Sequence, residues 1–261
     1  MEGKTVLAIF AHPDDESLAC GGTLARLADA GARIVLMCAS RGEAGSISDP
    51  ALVPDGDLGT ARERELREAA AILGVAEVIV MNHPDGDLRW DHVPELHDEI
   101  VDAIRRYRPE AVITFAEDGL YWHLDHVGVH ERTYTAVKSL GAEAPPLYYV
   151  TMPEGIMREV VAAALAKGGA AHSSLWGIDP GAFGDSAKPA GFVVDVRNWT
   201  PRKLAALRCH RTQMGANNPI AWISEEEARR WLGVEHFRRA TLEAAAQDSM
   251  LERFGQPMVS S

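Results

Sequence analysis

Hydrophobic positions in the first half of the chain fall into two alternating patterns. Short, continuous apolar runs occupy residues 5–10, 33–39, 77–81 and 111–115. Runs of this length predict strands buried on both faces, as in a parallel sheet covered by helices. Between them lie stretches at residues 16–30, 60–73 and 93–107 whose composition and patterning read as helix. Gly31 and Gly74 stand where a left-handed C-terminal cap belongs, and the third stretch stops before Pro109. The alternation implies right-handed crossovers and a doubly wound α/β layer structure with a mostly parallel sheet.

The second half is less regular. Residues 147–150 and 192–196 read as strands, and residues 158–167 and 202–212 as helices. Two irregular stretches, 41–59 and 168–190, read as functional or mobile loops, because long structureless segments are uncommon in compact domains. No internal repeat or linker divides the chain, which predicts one domain over residues 1–261.

Composition narrows the function. With 261 residues, 46% of them hydrophobic, the chain can build one sizeable core. Its formal net charge is −12, and the basic residues of 61–67 alternate with Glu as a solvated helix face. Nucleic acid is therefore not an expected partner. Cys20, Cys38 and Cys209 are few and far apart, with no CxxC spacing. That excludes a disulfide framework and a Cys-type zinc site, and fits a reducing, cytoplasmic compartment. The apolar run at residues 5–11 is too short for a signal segment, and nothing approaches a membrane span.

Two polar clusters carry the chemistry, and both lie beyond predicted strand ends, where open α/β sheets bind ligands. The first is His12-Pro13-Asp14-Asp15-Glu16. Imidazole and carboxylate together suit a zinc-type ion, and a turn can bring His12 and Asp15 to one point. Asp14 then stands beside the metal, free to act as general base. An Asp pair alone at a helix start would more often be a cap. The second cluster, Tyr121-Trp122-His123-Leu124-Asp125-His126, changes that weighing. His126 supplies a third ligand, and two His plus one carboxylate leave a fourth position open, as in catalytic zinc sites. His123 is left to act on substrate, with Asp125 orienting its ring. His83, His92, His97, His172 and His236, taken singly, read as ordinary surface or core residues. A pairing of His126 with His130 has the four-residue spacing of a helical zinc motif, but Val127-Gly128-Val129 lacks the catalytic Glu such motifs carry.

The segment AHPDDESL (residues 11–18) with Gly21-Gly22, and HLDH (residues 123–126), resemble the LmbE-like, or PIG-L-type, N-acetylglucosaminyl deacetylases. A weaker likeness runs to about Gln213. It includes Gly42-Glu43, Arg62 to Gly74, Pro84-Asp85-Gly86 and the run His210-Arg211-Thr212-Gln213. The resemblance implies a Rossmann-like, three-layer α/β/α fold and a divalent metal, commonly zinc. It implies His12, Asp15 and His126 as ligands and Asp14 as general base. His123 would stabilise the oxyanion or protonate the leaving amine, and either His123 or Asp14 could supply that proton. Asp125 would orient His123, and Tyr121 would help polarise the carbonyl. Glu43, Arg62 and Asp85 would line the sugar site. The substrate would be a small amino-sugar conjugate, with no membrane span needed and self-association left open. Trp122 and Leu124 depart from the Gly and Pro often found there, which touches substrate identity more than the reacting groups.

Rival readings are a metal-dependent phosphoesterase, an amidase for a non-sugar amide and a nucleotide-binding module. The first would need two metals, and one good three-ligand set is present. The last would need a glycine-rich turn where this chain has carboxylates that repel pyrophosphate.

Overall fold

The computed structural model describes residues 1–90, 93–169, 175, 177–184, 188–242 and 250–257. His92, His172 and part of the 168–190 stretch lie outside the described residues. The first half runs β1 (Thr5–Phe10), α1 (Asp15–Asp29), β2 (Arg33–Cys38), α2 (Leu58–Leu73), β3 (Glu77–Val80), α3 (Val93–Tyr107) and β4 (Ala111–Phe115). A distorted turn, α4 (Gly119–Trp122), leads into α5 (Leu124–Ser139) and β5 (Leu147–Thr151). The remainder comprises α6 (Ile156–Ala166), β6 (Phe192–Asp195), α7 (Thr200–Cys209), α8 (Glu225–Trp231), β7 (Val234–Arg239), α9 (Met250–Phe254) and β8 (Gln256–Pro257). The expected helix over 202–212 stops at Cys209, and His210 to Gln213 form the turn beyond it.

One sheet gathers all eight strands in the order β3-β2-β1-β4-β5-β7-β6-β8. The first five are parallel and the last three add on antiparallel. The order reverses between β1 and β4, which pair Val6 with Ala111 and Ala8 with Ile113. Chains leaving these two strands turn to opposite sides and leave a crevice at their carboxyl ends. Both chemical clusters follow those two strands, so the topology brings together segments more than a hundred residues apart. Helices α1, α2 and α7 pack together on one face, and α3 and α5 on the other. All five residues of β4 and of β5 are buried, as their apolar runs require.

Gly22, the second glycine of the pair in α1, has a packing reason. The helix breaks at Cys20 (φ −147°, ψ 23°), which frees backbone donors one turn on. Glu235 on β7 reaches across and accepts from Gly22 N (2.9 Å) and Thr23 N (2.7 Å). Lys203 on α7 donates to the same carboxylate at 2.5 Å, and both side chains are buried. A Cβ at position 22 would meet Val196 Cγ2 at 2.6 Å, so only glycine fits.

Candidate metal and catalytic site

The residues around β1 and β4 build the site from the backbone outward. His12 leaves β1, and its amide donates to Asp15 Oδ2 at 2.8 Å, which curls the turn so that ring and carboxylate face one point. Asp14 sits in that turn with φ 119°, a conformation unusual for a side-chain-bearing residue. On the β4 side, Gly119, Leu120 and Trp122 all have positive φ, and this tight turn delivers His123 and His126 to the same crevice.

Three candidate ligand residues converge. His12 Nδ1 lies 3.2 Å from His126 Nε2, which lies 3.1 Å from Asp15 Oδ1, and Asp15 Oδ2 is 3.5 Å from His12 Nδ1. The outer nitrogens fix the tautomers. His126 Nδ1 faces the Gly119 carbonyl at 2.9 Å, so it carries the proton. His12 Nε2 faces Asp125 Oδ2 and Asp85 Oδ1, each at 3.0 Å, so it donates too. Two imidazole lone pairs and a carboxylate therefore point at one another. Such a set repels itself unless a cation lies among its members, and its N/N/O chemistry suits a zinc-type ion. Burial alone would lower the pKa of His12, but Asp125, Asp15 and Asp85 outweigh it and hold it well above the usual histidine value. A proton and a metal ion therefore compete for His12 Nδ1, and binding of the ion requires the ring to give up that proton.

Two other groupings surround His12. His12, His123 and His126 bring ring nitrogens within 4.8 Å of one another, as His12, Asp85 and Asp125 bring ligand atoms. The second is already saturated. Asp125 accepts from Gly86 N (2.7 Å) and Leu88 N (3.1 Å), and Asp85 accepts from Ala44 N (2.8 Å). Burial pushes Asp85 up, yet the His12 contact prevails and its carboxyl lies at about 2.

A cavity of about 290 Å³ opens over this point, lined by His12, Asp14, Asp15, Arg62, Tyr121 and His123 among others. Burial pushes the Asp14 carboxyl up to about 6, against the pull of the Arg62 guanidinium, 3.2 Å from its Oδ2. Burial also lowers His123 to about 4, helped by His126 and His12, so its ring is neutral. His123 Nδ1 accepts the Asp125 amide at 3.2 Å, which leaves its proton on Nε2. Burial raises Tyr121 well above the usual phenol value, so it remains a neutral donor.

The family model described as "PIG-L: GlcNAc-PI de-N-acetylase" matches residues 7–137, half of the 261-residue chain. The chain belongs to this family. The PIG-L member is 32% identical to a 1D-myo-inositol 2-acetamido-2-deoxy-alpha-D-glucopyranoside deacetylase of Thermobispora bispora, over 91% of this chain and 88% of the relative. Its fold is similar to that of the N,N'-diacetylchitobiose deacetylase of Pyrococcus horikoshii (TM-score 0.59, 22% identity, 91% of this chain and 84% of that one). It is also similar to that of the 4-carboxy-2-hydroxymuconate hydratase GalB of Pseudomonas putida (TM-score 0.64, 21% identity, 94% and 100%). One fold thus carries different chemistries, and the site has to assign the reaction. With its sequence relatives, the PIG-L member is a hydrolytic N-deacetylase of the amino-sugar type.

Several residues of this PIG-L member stand differently from their sequence reading. The sequence pairs Asp125 with His123, but its carboxylate serves His12. The α5 helix starts at Leu124 and turns Asp125 away from the His123 ring, toward the loop at residues 85–88. Asp85 lines the cavity, with Oδ1 on His12 Nε2 at 3.0 Å and Oδ2 on the Ala44 amide. Glu43 is exposed and accepts from the Asp85 amide at 3.0 Å, so it clasps two loops and does not line the cavity. Arg62 does line it, but its guanidinium is committed to Pro13 O (2.7 Å), Gly42 O (2.8 Å) and Asp14. His130 points its Nδ1 at the Phe115 carbonyl (2.9 Å), as a satisfied core histidine does. Asp125→Asn should weaken metal affinity about 10–100-fold, because it removes an acceptor that orients His12. Equilibrium metal titration checks this, and unchanged affinity would remove Asp125 from the support of His12.

Proposed function

We propose that this protein removes the N-acetyl group from a glucosaminide with the help of one divalent ion, zinc by its donor set, held by His12, Asp15 and His126. The observation that carries the reading is the convergence of two imidazole nitrogens and a carboxylate beside Asp14, a half-buried carboxyl with a raised pKa. When bound there, such an ion lowers the pKa of water and polarises the amide oxygen. The chain's own groups do the rest. Asp14 keeps Oδ2 on Arg62 and accepts the proton of the attacking water at Oδ1. The His123 Nε2–H and the Tyr121 hydroxyl donate to the developing oxyanion. Because His123 is neutral and holds its proton for that bond, protonated Asp14 passes its proton to the leaving nitrogen. The C–N bond breaks, and acetate and a free amine result.

The inositol glucosaminide named for the sequence relatives is the first substrate to try. Asp85 and Asp125 have their oxygens taken up by backbone amides and His12, which leaves no second metal set among the described residues and disfavours the two-metal phosphoesterase reading. Cys20, Cys38 and Cys209 are unpaired, in keeping with a reducing compartment. Among the described residues, no helix is long and apolar enough to cross a membrane.

The test is primary-amine release from N-acetylglucosaminides by chelator-stripped protein, before and after one equivalent of zinc. Release should disappear on stripping and return with metal. Zinc-loaded protein that releases no amine across the panel but hydrolyses a phosphate ester would overturn the proposal.

A further inference from the structure

The run His210 to Gln213 lies outside the segment matched by the family model and far from Asp14 in sequence, yet it reaches the turn that holds this residue. Asp14 is strained: at φ 119° and ψ −25° a non-glycine residue costs about 1–3 kcal/mol unless its surroundings impose the geometry. Its amide donates to Glu16 Oε2 at 3.0 Å, and its carbonyl accepts from Ser17 N and Leu18 N, both at 3.1 Å. Glu16 in turn is gripped from behind. His210 Nε2 lies 3.0 Å from Glu16 Oε1, and the Ser17 hydroxyl donates to that same oxygen. Glu16, Ser17 and His210 are all buried to 1% exposure or less, and none of them lines the cavity. His210 Nδ1 has no partner among the described residues, so Glu16 is the ring's one strong contact. The ring is anchored by its backbone, which closes α7 and accepts from Gln213 N and Met214 N at 2.9 Å.

We propose that His210 and Glu16 are positioning residues for the general base, a brace that imposes the strained backbone of Asp14 and so aims its carboxylate. The proposal rests on the reading of Asp14 as base. With the brace removed, the turn relaxes and the carboxylate swings. His12 and Asp15 also have the His12 N–Asp15 Oδ2 bond and the contact of Asp15 with His126, so the metal ligands stay in place. Misplacement of a reacting group by about 1 Å costs on the order of 100-fold in rate.

The experiment compares His210→Gln, Glu16→Ala and Glu16→Gln in the metal-loaded full chain, each alone and combined with Asp14→Asn. His210→Gln and Glu16→Ala should each lower kcat about 10–100-fold, with KM and metal content unchanged. Glu16→Gln, which keeps an acceptor for the Asp14 amide, should recover most of the loss. On the Asp14→Asn background neither His210→Gln nor Glu16→Ala should reduce kcat further, since the brace acts only through that carboxylate. Full kcat in His210→Gln, or undiminished losses on the Asp14→Asn background, would overturn the brace. Should His210→Gln fail to fold, the contrast between Glu16→Ala and Glu16→Gln decides alone, and equal losses in the two count against the brace. If Asp14→Asn itself kept normal kcat, the base reading would fail instead, a separate and recognisable result.

Discussion

Asp14→Asn should retain a full equivalent of metal and lose about 10²–10⁴-fold in kcat, the range a positioned general base supplies. The substitution is nearly isosteric. Asn tolerates positive φ about as well as Asp, so the turn should persist. The amide oxygen can still accept from Arg62, but it cannot take a proton. The metal ligands are untouched, because Asp15 and not Asp14 approaches His12 and His126. Metal content by elemental analysis, alongside steady-state kinetics, separates the two carboxylates. Normal kcat with stoichiometric metal would show that another group is the base.

Lys203→Met should destabilise the fold by about 3–5 kcal/mol, because it strands the buried Glu235 carboxylate without its cation. For a chain of this size that corresponds to a fall in Tm on the order of 10 °C. Glu235 cannot retreat to solvent, since it also holds Gly22 N and Thr23 N across the break in α1. Replacing both partners with apolar residues should not restore stability, as it does for simple buried ion pairs, because those two amides would then be left unsatisfied. Thermal unfolding of the single and double variants checks this, and a double variant as stable as the parent would show that the amides find other acceptors.

The parallel half of the fold was legible because its strands are uniformly apolar and its helices amphipathic or glycine-capped. The antiparallel end was less so. In β7 (Val-Glu-His-Phe-Arg-Arg) burial alternates, with Glu235 and Phe237 inside, but hydrophobicity does not, because the inward Glu235 serves as a polar clamp. Helix α5 was obscured by the site it carries: Asp125, His126, Gly128 and His130 are all buried and erase the amphipathic period. Gly128 has a contact reason of its own, since a Cβ there would meet the Arg89 backbone at 2.7 Å.

In the site, residue types and spacing pointed to His12, Asp14, Asp15 and His126 because each motif is contiguous. The sequence pairs Asp125 with the adjacent His123, but proximity along the chain is not proximity around a helix turn, and the carboxylate reaches His12. Nothing local reveals that the loop at residues 85–88 is what faces it. Glu16 stands in the motif without a role legible from its neighbours, and its partner His210 arrives from the turn after α7, nearly two hundred residues later.

The clasp between Glu235, Lys203 and the break in α1 sets a lower limit on how far the protein can be cut down. The segment that carries every proposed metal ligand ends well before residue 203, and it looks like a separable catalytic unit. Yet a fragment of that size would have open amides in the middle of its first helix, just behind the turn that holds His12 and Asp15. Later helices and strands are therefore part of the catalytic end's foundations, and a trimmed enzyme or a grafted motif would need a substitute acceptor at that break.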